Sequence, residues 1–187
     1  MKLIRLKKLG TDIRHQAEKL ADSGFKQIFN HIDQFKIKKG VDKMGLDKFI
    51  NQCALMAAGS GAVAGSGGMV TLIAGLPIDF ANLITQQFRV TMAIMYYNKG
   101  SYQMEFNEFM GLVATSLRVE AGVAISKTMM EGIAEKFLMV LGTRTAERMV
   151  PVVGAVIGGT ANYLFIKRMG EMVKKMQDTP VVIPIAP

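Results

Sequence analysis

The chain has 187 residues, half of them hydrophobic, with a formal net charge of +8, one cysteine, two histidines and no tryptophan. That length suits a single domain with a proper core. The lone Cys53 excludes an internal disulfide and a thiolate zinc site, and His15 and His31 have no ligand pattern near them, so neither a metal nor a cofactor is expected.

The charge is unevenly placed. Twelve Lys/Arg and six Asp/Glu fall in the first 50 residues, so +6 of the +8 lies there. A second basic cluster, Lys167, Arg168, Lys174 and Lys175, stands near the end. Basic stretches beside apolar ones suit the anionic cytoplasmic face of a membrane, and Lys2, Arg5, Lys7 and Lys8 are the expected membrane-surface residues. Nucleic acid is the rival partner for such charge, but no aromatic-plus-basic platform or recognisable module accompanies it, which disfavours that reading. The opening residues alternate charge and leucine and lack the apolar centre of a signal peptide, so a reducing compartment is expected.

In chain order, Thr11-Asp12 reads as a helix start. Ile13, Ala17, Leu20, Gly24 and Ile28 then recur at helical spacing, joined by Phe25, Phe29 and Ile32, with Lys, Asp and Glu opposite. Such a basic amphipathic helix either packs on its own core or lies on a membrane surface. Lys38-Lys39-Gly40 and Lys43-Met44-Gly45 predict a polar turn region. The organisation expected is a basic helical segment over residues 1–45, a helical domain over 46–176 and a Pro-rich flexible tail over 177–187.

A helix beginning at Leu46 leads into a run of 26 uncharged residues, Cys53 to Ile78, that holds six glycines. Each glycine costs roughly 0.8–1 kcal/mol in a helix interior, so the run needs close packing against other chain or lipid. Gly61 and Gly65 are one turn apart, the small-xxx-small spacing that lets helix backbones approach, and a tight helical hairpin is expected here. The Gly-Ser-Gly-Gly string at 65–68 lacks the Lys-Ser/Thr of a phosphate-binding loop.

Pro77 suits the first turn of the next helix, which should reach about Tyr97 and stop at Asn98-Lys99-Gly100. Asp79, Asn82, Gln86 and Arg89 fall on one narrow stripe of this otherwise apolar helix. The stripe has three readings: a face towards water, a buried hydrogen-bonded network between helices, or the lining of a polar cleft that takes a ligand head group. Residues 105–117 and 119–141 read as two further helices, the second carrying too many charges to cross a bilayer. Pro151 opens a last helix to about Met176, whose uncharged part, Met149 to Ile166, is 18 residues long. Gly154, Gly158 and Asn162 share a face, with Gly159 beside them; this face should meet the glycines near position 61. No strand pattern competes. The expected fold is all-α: a compact bundle of about five to seven helices around a central glycine-rich helical hairpin. Fifteen methionines would fill an adaptable core or line an apolar surface.

Two blocks resemble the EcsC family: Gly75-Leu76-Pro77-Ile78-Asp79 with Gln86-Gln87-Phe88-Arg89, and Arg148-Met149-Val150-Pro151 through Gly154, Gly158-Gly159 and Asn162. The resemblance covers roughly residues 50–170, and the late Pro-x-x-Gly-Ala-x-x-Gly-Gly-x-x-Asn motif is its more specific part. Residues 1–45 match less clearly, and Tyr97-Asn98-Lys99-Gly100 departs slightly from the expected tyrosine-glycine pair. The resemblance implies a bacterial, membrane-associated protein linked to an ABC transporter. It implies no catalytic residues and no cofactor.

Three functions follow as expectations. The first is a membrane-associated helical protein at the cytoplasmic face that acts by binding, more as a binder than as an enzyme, and binds or organises lipid or supports a membrane transport or secretion complex. The second is a soluble carrier of an apolar or lipid ligand, with Asp79, Asn82, Gln86 and Arg89 at the mouth of its cavity. The third, least supported, is an enzyme acting on an amphiphile, with Asp79, Arg89, Glu105, Arg118 and Glu120 as its polar groups. The apolar segments are expected to lie at the membrane or insert partly rather than to span it.

Overall fold

The computed structural model describes residues 17–32, 34–59, 78–101, 103–119, 126–142 and 151–178, with side chains described except at 34–35, 78–80, 139–142, 151–159, 161 and 176–178. Within these, the chain is a bundle of α-helices without a strand. The helices are α1 (Phe25–His31), α2 (Gln34–Met44), α3 (Leu46–Ala58), α4 (Ile78–Lys99), α5 (Phe106–Ser116), α6 (Lys127–Gly142) and α7 (Pro151–Asp178). A π-helical turn, Leu20–Gly24, leads into α1. The glycine-rich hairpin expected at the centre, including Gly61, Gly65 and Pro77, lies outside the described residues.

Three helices form the middle. Asn82 of α4 meets Met56 of α3, and Arg89 lies over Phe49, so α3 and α4 run antiparallel. Ala57, Asn51 and Asp47 of α3 meet Asn162, Tyr163 and Lys174 of α7, so these two are antiparallel as well. Helices α4 and α7 are thus parallel to each other. All three converge at Gly170, where an added methyl would stand 3.2 Å from Ile50 Cγ2 and 3.3 Å from Val90 Cγ1. The missing side chain is what allows α7 to approach so closely.

The outer layer packs through phenylalanine. Phe25 stands 6.0 Å from Phe88 and 6.1 Å from Phe137, ring centre to ring centre. Phe109 meets Phe88 edge-on at 4.7 Å and Phe29 at 5.0 Å, and Phe29 in turn meets Phe106. Tilted and edge-on pairs of this kind contribute about 0.5–1.5 kcal/mol each beyond the area they bury. Ala17, Leu20, Phe25, Ile28 and Ile32 are all buried in the same core. The apolar face of the amphipathic helix over 17–32 therefore packs on its own protein, the first of the two readings given above. Its lysines remain outside.

The polar turn region expected over 38–45 is a correction. Residues 34–44 are helical, and the chain turns only at Gly45, whose φ of 81° is the left-handed conformation that glycine adopts without strain. Periodicity explains it. Ile37 and Val41 are four apart and buried, and Gly40 presents bare backbone to the Phe49 ring, 2.6 Å from where a Cβ would be. A glycine inside a helix served here as a packing surface, not as a breaker.

Helix α5 ends in a Schellman turn, with Val119 N–H donating to Ala114 O and Arg118 N–H to Thr115 O. The left-handed position is filled by Arg118, at a φ of 55°. Among the described residues no helix is long and apolar enough to cross a membrane.

Candidate functional site

Buried polar groups gather at the C-terminal end of α3. The last four carbonyls of an α-helix have no partner within it. Gly59 N–H closes the last turn on Leu55 O, and the next two carbonyls are met from other helices. Asn82 of α4 donates its Nδ2 to Met56 O at 2.9 Å, and Asn162 of α7 donates its Nδ2 to Ala57 O at 2.9 Å. Asn82 is 2% exposed and Asn162 is 5% exposed. Two amides from two helices thus pin one helix end inside the bundle.

The network continues along α4. Gln86 Nε2 donates to Asn82 Oδ1 at 3.0 Å, and Arg89 Nη1 donates to Gln86 Oε1 at 2.9 Å and to Met56 Sδ at 3.5 Å. The Arg89 guanidinium also lies 5.3 Å from the centre of the Phe49 ring, within cation–π range. The Asn82–Gln86 and Gln86–Arg89 links are i, i+4 and i, i+3 steps on one helix face, and Arg89 carries the network across to Met56 and Phe49 of α3. Of the three readings of the stripe, the network between helices describes Asn82, Gln86 and Arg89. Asp79 lies in the first turn of α4, and its side chain is outside those described.

Cys53 lies below this network and is fully buried. Burial pushes its thiol up to about 11, against a smaller opposing pull from Arg89. A thiol with so high a pKa is not a nucleophile at neutral pH. Next to Gln86 on α4 is Gln87, which is 0% exposed and whose Oε1 and Nε2 have no hydrogen-bond partner among the described residues. Thr91 beside it is also buried and donates its hydroxyl to the Gln87 backbone oxygen at 3.1 Å. A buried amide left unpaired costs about 1–3 kcal/mol.

At the opposite end of α3 an open cleft of about 510 Å³ is lined by Gly45, Asp47, Lys48, Tyr97, Asn98 and Lys174, among others. Lys174 is hydrogen-bonded to Asp47 and holds its carboxyl below the ordinary carboxylate value, with Lys167 adding to the pull. Nearby, Tyr96 donates its hydroxyl to Asp42 at 2.7 Å and Lys38 sits 5.9 Å above the Tyr96 ring.

The other residues singled out in the sequence are placed as follows. Lys2, Arg5, Lys7, Lys8, Gly61, Gly65 and Pro77 lie outside the described residues. Pro151 is the first residue of α7, and Gly154, Gly158 and Gly159 lie in its first turns. No group of acidic, histidine or cysteine side chains that could hold a metal ion occurs among the described residues. Sequence reasoning passed over Gln87, whose position next to Gln86 in an apolar helix was the available signal. It also passed over Met56 and Ala57, which act through backbone oxygens that any residue carries.

No family model matches the chain, and no curated protein or solved structure matches it either. The EcsC resemblance rests on its sequence motifs.

Proposed function

We propose that this chain is a membrane-surface protein of the EcsC type, which binds anionic lipid at the cytoplasmic face and there organises lipid or supports a membrane transport or secretion complex. The observation that carries this reading is the placement of charge: +6 of the net +8 precedes the first uncharged run, and a second basic cluster follows the last one. Clustered lysines close to a negatively charged leaflet contribute about 1 kcal/mol each. Asn82, Gln86 and Arg89 of α4 are hydrogen-bonded in series, and burial keeps the Cys53 thiol protonated.

Flotation of the full chain with vesicles tests it. Binding to vesicles rich in phosphatidylglycerol that weakens as salt rises is the expected result. Equal binding to neutral phosphatidylcholine vesicles, or none to either, overturns it. A carrier of an apolar ligand is the second reading, favoured by Gln87, a buried amide without a partner among the described residues. Native mass spectrometry separates the two: a retained small amphiphile supports the carrier, and bare protein counts against it.

A further inference from the structure

The two basic clusters of the sequence, one before the first uncharged run and one after the last, meet in the fold. Helix α3 runs antiparallel to both α4 and α7, so the start of α3 and the finishes of α4 and α7 stand at one end of the bundle. The bond between Asp47 and Lys174 joins the clusters directly, 127 positions apart in the chain. Helix α2 closes on the same end: Asp42 accepts from the Tyr96 hydroxyl at 2.7 Å, and Lys38 lies 5.9 Å from the centre of the Tyr96 ring.

The charge of this end differs from that of the rest of the surface. Residues 36–48, 99 and 167–175 hold ten Lys/Arg and three Asp/Glu, a net +7, and all thirteen side chains are exposed or half-buried. Residues 17–32, 103–119 and 126–138, which carry α1, α5 and most of α6, hold five Lys/Arg and six Asp/Glu, a net −1. Two of the three acids at the basic end are already engaged there, Asp42 by Tyr96 and Asp47 by Lys174. The open cleft at this end has Lys48 and Lys174 on its wall, and Lys43 and Lys99 directly follow or precede its lining residues in the chain. Tyr97, 62% exposed, also stands on that wall. Tyrosine is a side chain that settles at the level of lipid headgroups.

We infer that this basic end of the bundle is the surface that docks on an anionic bilayer, with Lys43, Lys48 and Lys99 meeting lipid phosphate and Tyr97 lying at headgroup level. The inference rests on the membrane-surface reading and adds to it a face and an orientation. Charge complementarity selects the occupant. An anionic leaflet attracts each basic side chain within about a Debye length of its surface, and the net −1 side formed by α1, α5 and α6 gains nothing by turning towards it. The asparagine-capped end of α3 points away from the lipid.

The test compares three full-length proteins on vesicles of phosphatidylglycerol and of phosphatidylcholine: wild type, the triple variant Lys43→Gln, Lys48→Gln, Lys99→Gln, and the triple variant Lys26→Gln, Arg118→Gln, Lys136→Gln. All six side chains are exposed, so both variants should keep the wild-type unfolding midpoint. The variants have equal net charge and differ only in which side has lost it. The first should bind phosphatidylglycerol on the order of a hundredfold more weakly at low salt, with a flatter salt dependence, and the second within about threefold of wild type. If both variants lose affinity alike, net charge draws the protein down without selecting a face, and the inference fails while the membrane-surface reading stands. The same holds if the first variant binds as wild type does. If wild type binds neither vesicle, both fall. If wild type binds a DNA duplex and no vesicle, and the first variant loses that binding, the basic end serves nucleic acid and both are overturned.

Discussion

Replacing Asn162 by alanine removes the amide that meets Ala57 O. Ala57 is 3% exposed, so its carbonyl is left facing protein rather than water. An unpaired buried acceptor costs about 1–3 kcal/mol. The higher helix propensity of alanine returns roughly 0.5 kcal/mol of this, leaving a net loss of about 0.5–2.5 kcal/mol. For a urea m value of about 2 kcal/mol/M, the unfolding midpoint should fall by about 0.25–1.25 M. Far-UV circular dichroism is the suitable signal, because the chain has no tryptophan. Asn162→Asp is the sharper variant, since it keeps the shape but sets a carboxylate against a carbonyl oxygen. Burial and that acceptor raise the folded pKa of the new group above its unfolded value. The protonated form is the one that fits, so the deficit is largest at neutral pH and shrinks as pH falls through the raised pKa. A midpoint for Asn162→Ala within about 0.2 M of wild type, with Asn162→Asp no worse at neutral pH, would refute the capping role.

Gln87 makes the opposite prediction. Gln87→Leu removes two unpaired polar atoms at nearly constant volume and should raise stability by about 1–2 kcal/mol; a loss of that size in urea unfolding would show that the amide has a partner in the folded protein. Cys53, with its thiol raised to about 11, should resist aromatic disulfide reagents at pH about 8 in the native protein and react at once in denaturant. Fast labelling of native protein would contradict the burial of α3.

Much of the fold was legible because its signals are local. Pro151, Asn98-Lys99-Gly100 and the run of apolar positions in 78–97 mark α4 and α7 by propensity and punctuation. The helix over 34–44 was not legible, since Gly40 counts as a breaker in one dimension and as a contact with Phe49 in three. The polar stripe was visible in the spacing of Asn82, Gln86 and Arg89, but spacing does not tell a wet face from a buried one. What decides is the level of the α3 end, because Asn82 and Asn162, 80 residues apart, converge on successive carbonyls. Such tertiary convergence leaves no trace in a helical period.

Separation of native membranes from cells that produce the chain tests the membrane-surface account most directly. The account predicts that the protein sediments with the membranes in low-salt buffer and is released by alkaline carbonate, as expected of a bundle held at the surface by charge. Retention through carbonate, or recovery entirely in the supernatant at low salt, would contradict it.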